Sequence, residues 1–240
     1  MCTVTYYPGK TGFILTHNRD EAPKRSSQQI TDAENLFRHY VFPRDTGAGG
    51  TWITADNTGQ VACLLNGAFI KHRHLPPYRR SRGLILLDCF EAADPVRFLE
   101  NYDFTGIEPF TLLFFSGRSV LEMRWDESKL HTTMLPTDQA HFWCSATLYP
   151  PEMQVQREQV FRNWLSARFR APEADDLLRL HRTGSVGDPE NDYVMNRQER
   201  VRTVCITQVV CEVAETRMQY FDLLNNQEDV RALTLQRELT

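Results

Sequence analysis

The chain has no apolar run that approaches the ~18 residues a membrane-spanning helix needs. Its N-terminus has no basic segment followed by an apolar core, so we expect no secretory signal peptide. It has no excess of positive charge, and its net charge of −4 argues against a nucleic-acid backbone or an anionic membrane as the main partner. Its six cysteines include no CxxC pair. These absences predict a cytoplasmic protein with reduced thiols and no disulfides.

What is present fits an enzyme-sized globular protein, because the 240 residues are 41% hydrophobic and 24% charged. No internal repeat or linker divides the chain, so we predict one domain over residues 1–240. Runs of predicted strands alternate with two pairs of predicted helices, at residues 83–91 and 95–102 and at 154–169 and 175–181. This order predicts an α+β fold in which helices cover two sheets on their outer faces. Residues 22–48 are polar and are predicted to be irregular.

The first candidate catalytic residue is Cys2. If Met1 is removed, Cys2 has a thiol and also a free α-amine, whose reference pKa of roughly 7.7–8.0 allows it to accept a proton near neutrality. A thiol needs such a base to become the nucleophilic thiolate. One residue would then supply nucleophile and base, as in N-terminal-nucleophile enzymes. The alternative is an inert thiol, because free cysteine usually behaves as a small hydrophobe.

A predicted hairpin brings a polar tetrad close to Cys2. Residues 3–7 are rich in β-branched and aromatic side chains, a Pro-Gly turn follows, and residues 11–16 form the return strand. The tetrad Asn18-Arg19-Asp20-Glu21 follows at the end of that strand. Because side chains alternate along a strand, Arg19 and Glu21 share one face, and Asn18 and Asp20 share the other. The alternative is an exposed charged loop.

Two glycine-containing turns also stand out. Gly49-Gly50 indicates either a close approach of two backbone segments, a positive φ or a plain tight turn. Asn66 and Gly67 follow a predicted strand at residues 60–65, and the Asn66 carboxamide with a free Gly67 N–H would be a suitable donor pair for an oxyanion. A turn asparagine without a catalytic role is the alternative.

The segment from residue 68 to residue 82 is basic and aromatic. It would suit an anionic substrate group such as a carboxylate or phosphate, and a solvated basic loop is the alternative. His72 and His74 would form a metal site only with further ligands, and no Cys or carboxylate accompanies them at ligand spacing. We therefore expect no metal and no cofactor.

Four short motifs together resemble the NRDE family, which includes transport and Golgi organisation protein 2. They are Cys2-Thr3 with Asn18-Arg19-Asp20-Glu21, Gly49-Gly50-Thr51-Trp52, Leu65-Asn66, and Ser81-Arg82-Gly83, in the order of the family. The family in turn is similar to the cysteine N-terminal-nucleophile hydrolases such as choloylglycine hydrolase and penicillin V acylase. The resemblance implies a four-layer αββα sandwich.

The resemblance also implies roles for individual residues. Cys2 would be the nucleophile, Asn66 would hold the oxyanion, Arg19 would lower the pKa of the thiol and Asp20 would hold the amine. The candidate substrate-binding residues are Asn18, Glu21, Trp52, His72, Arg82, Ser145 and Arg202. Where the acylases have a second asparagine, this chain has Ser145 or Thr147 instead.

Two functions are compatible with this reading of the sequence. The first is a hydrolase that acts on a non-peptide amide or thioester bond of a small molecule. The second, implied by relatives linked to lipid and haem handling, is a non-catalytic protein that binds lipid, acyl-CoA or haem on the same fold.

Overall fold

The computed structural model describes residues 2–27, 29–117 and 119–236. The strands are β1 (Cys2–Pro8), β2 (Phe13–Glu21), β3 (Ile30–Glu34), β4 (His39–Pro43), β5 (Ile53–Asp56), β6 (Val61–Asn66), β7 (Phe110–Ser116), β8 (Ser119–Trp125), β9 (Leu130–Leu135), β10 (His141–Cys144), β11 (Asn196–Arg197), β12 (Val201–Cys211), β13 (Glu215–Asp222) and β14 (Gln227–Thr234). The α-helices are α1 (Arg82–Glu91), α2 (Pro95–Asn101), α3 (Pro151–Ser166) and α4 (Ala174–Thr183).

The strands form two seven-stranded antiparallel sheets. The first sheet has the order β10-β1-β2-β12-β13-β14, with β11 paired to β12, and the second runs from β3 to β9 in sequence order. Helices α3 and α4 cover the outer face of the first sheet, and α1 and α2 cover the outer face of the second. The predicted α+β fold, a four-layer αββα sandwich, is confirmed.

The apolar side chains explain why the layers form. Strand β7 is buried on both sides, since Leu113 and Phe115 join the core between the sheets while Leu112 and Phe114 pack against the helices of the second sheet. A strand covered on both faces has a continuous apolar sequence, as this one has. Most of the inward side chains of β1 and β2 join the same inter-sheet core.

The prediction for residues 22–48 was wrong, because this stretch contains β3 and β4. Strand β14 was also missed. Strands β3 and β14 lie at the ends of their sheets, where no strand among the described residues pairs with one side and many side chains meet solvent. Edge strands need few apolar residues, so their sequences have little of the alternation that marks an inner strand. In the described part of the chain, no helix combines the length and apolarity that crossing a bilayer requires.

Candidate active site

Cys2 is the first residue of β1, which lies between β10 and β2 in the first sheet. Its partner across the hairpin is Arg19 of β2, and Arg19 pairs on its other side with Cys205 of β12. Cys2 is only 2% exposed, yet it lines a cavity of about 70 Å³. Burial raises the pKa of the Cys2 thiol, and the opposing effect of the Arg19 charge does not overcome it. Near neutral pH the thiol therefore needs a base before it can act as a nucleophile.

The side chains of Arg19 and Glu21 face this cavity. The Arg19 guanidinium donates to Asp45 Oδ2 at 2.5 Å and to the carbonyl of Arg25 at 2.6 Å, and it lies 4.1 Å above the ring of Trp52. Glu21 accepts a hydrogen bond from Arg25 at 2.7 Å. The result is a charged wall in which two arginines and two carboxylates largely neutralise one another.

Asn18 faces the opposite way, towards helix α4. Its amide nitrogen donates to the carbonyls of His181 at 2.9 Å and Tyr193 at 2.8 Å, and its Oδ1 accepts from His181 Nδ1 at 2.6 Å. Asn18 is fully buried and lies outside the cavity lining. Its contacts join β2 to the helical layer, and substrate binding by Asn18 stays a prediction that these contacts do not favour.

Asp20 is also on the helix side of β2. Its carboxylate accepts hydrogen bonds from the hydroxyls of Tyr149 at 2.9 Å and Thr203 at 2.7 Å. Burial raises the pKa of Asp20, and the charge of the fully buried Arg157 opposes that shift. Arg157 lies 4.0 Å over the Tyr149 ring and donates to Thr3, next to Cys2. The role of Asp20 as the partner of the Cys2 amine stays a prediction, because that amine exists only after Met1 is removed.

Asn66, at the end of β6, lines the same cavity as Cys2. Within the described residues its carboxamide makes no hydrogen bond, so its donors are available to a ligand. Ser145 connects the two, since its N–H donates to the Cys2 carbonyl at 2.9 Å and its Oγ donates to the Asn66 carbonyl at 2.6 Å. The proposed second oxyanion donor was wrong, because the Gly67 N–H already donates to the Pro109 carbonyl at 3.0 Å.

The Gly49-Gly50-Thr51-Trp52 and Ser81-Arg82-Gly83 motifs meet at the cavity wall. A Cβ on Gly50 would lie 2.4 Å from the backbone of Gly83, and the Thr51 N–H donates to the Gly83 carbonyl at 3.1 Å. The close approach of two backbone segments is therefore the reason for Gly50, while Gly49 has a positive φ of 72°. This contact brings Trp52 and the start of α1, with Arg82, to the cavity.

Besides Asn18, three predicted binding residues lie outside the cavity lining, namely His72, Ser145 and Arg202. His72 Nε2 is 3.0 Å from Glu108, which also pairs with Arg82 at 2.8 Å. Glu108 thus connects His72 to Arg82, which lines the cavity. Arg202 donates to Glu199 at 2.8 Å. Among the described residues no cluster of His, Cys, Asp or Glu is arranged to hold a metal ion.

The sequence did not point to Asp45 and Arg25 as site residues. Asp45 Oδ2 accepts from both Arg19 and Arg25, and its Oδ1 accepts from the N–H groups of Gly47 at 2.8 Å and Ala48 at 3.0 Å. An aspartate that precedes a glycine-rich turn often bonds the backbone in this way, and that was the available signal.

The family model for Transport and Golgi organisation 2 matches residues 1–233. The chain belongs to this family. The motifs around Cys2, Asn66 and Ser81 therefore identified the Transport and Golgi organisation 2 family correctly. No curated protein sequence gives a significant match.

Solved structures show how the fold of this family member relates to known enzymes. An N-acylethanolamine-hydrolyzing acid amidase ortholog from Caenorhabditis elegans is 12% identical, with 87% of this chain and 92% of that chain covered and a TM-score of 0.62. Two mutants of conjugated bile acid hydrolase from Clostridium perfringens are 10% and 11% identical, with 100% of this chain and 98% of each of theirs covered and TM-scores of 0.60 and 0.61. These proteins are N-terminal-nucleophile hydrolases, and the chain has their fold.

Proposed function

We propose that the protein is an N-terminal cysteine hydrolase that cleaves a non-peptide amide or thioester bond of a small molecule. The observation that carries this proposal is that Cys2, Arg19 and Asn66 line one cavity. The similar structures support it, because they are those of an amidase and of a hydrolase of conjugated bile acids. The nucleophile of the proposed reaction is therefore Cys2, the first residue of β1.

In the proposed reaction, removal of Met1 converts the peptide nitrogen of Cys2 into a free amine. The amine takes the thiol proton as Sγ attacks the substrate carbonyl, and the Asn66 carboxamide donates to the oxyanion that forms. The tetrahedral intermediate expels an amine or thiol, which takes the proton from the ammonium group and leaves a thioester on Cys2. Water then attacks this thioester with the amine again as base, which releases the acid and restores the thiol.

Burial of the thiol makes the free amine necessary to this proposal. Because burial raises the pKa of Cys2, little thiolate is present near neutrality unless a neighbouring base takes the proton. An amide nitrogen, as in a chain that retains Met1, has no proton affinity in this range. The Arg19 donors that reach Asp45 and the Arg25 carbonyl hold the cation beside Cys2, where it favours the thiolate form.

The test begins with the state of the N-terminus and the reactivity of Cys2. Intact-mass analysis should show that Met1 is absent, and iodoacetamide should modify Cys2 at least about tenfold faster than the other thiols, as expected of an activated cysteine. Cys144 is the matched control, because it is the least buried of the other cysteines and burial raises its pKa to about 12. Faster labelling of Cys144 than of Cys2 would contradict the proposal.

The second part of the test is turnover. A screen of acyl amides and acyl thioesters should find hydrolysis with wild type and with Cys144→Ala, and none with Cys2→Ala. Equal hydrolysis by wild type and Cys2→Ala would remove Cys2 from the mechanism. A ligand bound without turnover by a chain that keeps Met1 would instead support the non-catalytic binding protein.

A further inference from the structure

The space beside the Cys2 thiol is small. The cavity has a volume of about 70 Å³. An engineered protein cavity of about 150 Å³ holds one benzene molecule, so this space takes about three non-hydrogen atoms. Pockets for drug-sized ligands are several times larger, at roughly 300–1,000 Å³. The group that sits next to Sγ must therefore be short.

The walls of this cavity are also polar. Five of the side chains that line it are charged, namely Arg19, Glu21, Arg25, Asp45 and Arg82. Trp52 is 4% exposed, its ring is covered by the Arg19 guanidinium, and Leu64 is 7% exposed. An alkyl chain placed here would displace water from charged groups without replacing their hydrogen bonds, which is unfavourable.

The space next to this cavity is polar too. A second cavity of about 250 Å³ shares Arg25, Ser81 and Arg82 with the first, and its other lining residues are Tyr78, Arg80 and Glu108. The largest cavity described, about 790 Å³, lies by the β1–β2 turn at the opposite end of these strands and shares no lining residue with either. Of the five cavities described, the one lined by Arg25, Arg80 and Arg82 is the one that shares residues with the Cys2 cavity, so a substrate that extends from Cys2 enters it.

We propose that the acyl group transferred to Cys2 is short and polar, and that the rest of the substrate is polar and lies in the adjoining cavity. This inference rests on the proposed function, since it describes the substrate of that same thiol. It excludes long alkyl acyl groups, for which the lining residues provide neither the volume nor the apolar surface.

The test compares three alkylating reagents on wild-type protein without Met1. They are iodoacetamide, N-hexyl iodoacetamide, and the iodoacetamide of 2-(2-hydroxyethoxy)ethylamine, whose polar chain has as many non-hydrogen atoms as the hexyl chain. The rate of Cys2 labelling, measured by peptide mass and divided by the rate with glutathione, should be about tenfold higher for the polar chain than for hexyl because only hexyl desolvates the charged walls without compensation.

Each outcome decides the inference. A hexyl reagent that labels Cys2 as fast as the polar reagent overturns it and leaves the proposed function standing. Failure of all three reagents to label Cys2 overturns the proposed function, and the inference with it. A wild-type preference for the polar chain supports the inference without any variant having to fold.

A variant pair sharpens the result. Leu64→Ala enlarges the cavity and adds apolar space, so it should reduce the preference for the polar reagent. Leu86→Ala removes the same atoms from a fully buried position in α1 outside the cavity lining, and it should retain the wild-type preference. If both variants change the preference equally, as measured on protein with native circular dichroism, the cavity wall is not its cause and the inference fails.

Discussion

The two faces of the last four residues of β2 differ in what surrounds them. Arg19 and Glu21 face the Cys2 cavity, where Arg25 is still about one-third exposed and the charges are shared among several partners. Asn18 and Asp20 face the helices and are fully buried, and each has specific hydrogen-bond partners. One short motif therefore serves both the candidate site and the connection between layers, because strand side chains alternate.

Substitutions on the cavity face and on the helix face of β2 should have different consequences. A change on the cavity face alters groups that surround the thiol, while their remaining partners and water can compensate for part of the lost contact. A change on the helix face leaves buried polar groups without partners and without access to water, which is the more costly event. Substitutions on neighbouring residues of the same strand should thus differ in whether they affect reactivity or stability.

The largest expected effect on stability is that of Asp20→Ala. This change removes the acceptor of the Tyr149 and Thr203 hydroxyls and the anion that acts on the buried Arg157, so we expect a loss of about 3–5 kcal/mol in the free energy of unfolding. The matched change Glu21→Ala leaves Arg25 paired with Asp45 and should cost about 1 kcal/mol. Urea unfolding followed by circular dichroism measures both, and equal losses would show that the two faces do not differ.

Local sequence patterns predicted the parts of the fold that depend on neighbouring residues. The Pro8-Gly9 turn and the alternation along β2 were sufficient to place the tetrad beside Cys2 and to divide it between two faces. The face on which the thiol lies depends on the strand register, in which Cys2 pairs with Arg19. The length of the turn fixes that register, and the alternation of side chains does not.

Long-range contacts were not predictable in the same way. Asp45 lies 26 residues from Arg19, and no periodic pattern links them. The hydrogen bond of the Gly67 N–H was not predictable either, because its acceptor, the Pro109 carbonyl, lies on a distant segment. These pairs form only when sheets and loops pack, and a sequence without an alignment has no signal for them.

Two asparagines provide the next test of the comparison. Asn66→Ala should lower the rate at which p-nitrophenyl acetate acylates Cys2 by about 100-fold, as loss of an oxyanion donor does elsewhere, with little change in stability. Asn18→Ala should have the opposite profile, because it removes a donor to two buried carbonyls and the acceptor of the His181 Nδ1–H, and should lower the free energy of unfolding by about 2–4 kcal/mol. Stopped-flow acylation and urea unfolding of each variant separate the two effects. A normal acylation rate in Asn66→Ala would exclude it as the oxyanion donor.

The smallest effect is a pH dependence that originates on the helix face. Burial, and then the charge of Arg157, lower the pKa of His181 from 6.5 to about 3. The hydrogen-bond network is consistent with the neutral ring, because Asn18 Oδ1 can only accept from Nδ1, which leaves Nε2 to accept from the Thr5 hydroxyl at 2.8 Å. The folded protein therefore keeps His181 uncharged at pH values where an unfolded chain protonates it.

The sign of the effect follows from proton binding. Between about pH 6.5 and pH 3 the unfolded state binds one more proton at His181, so stability should fall as the pH falls, by about 1.4 kcal/mol per pH unit once the unfolded histidine is protonated. His17, whose pKa burial also lowers, adds to the slope in the same direction, and Asp20, whose pKa burial raises, opposes it. The contribution of His181 is thus the difference between the slopes of wild type and His181→Gln, measured by urea unfolding from pH 7 to pH 4.5. Identical slopes would mean that His181 is protonated in the folded protein as readily as in the unfolded chain.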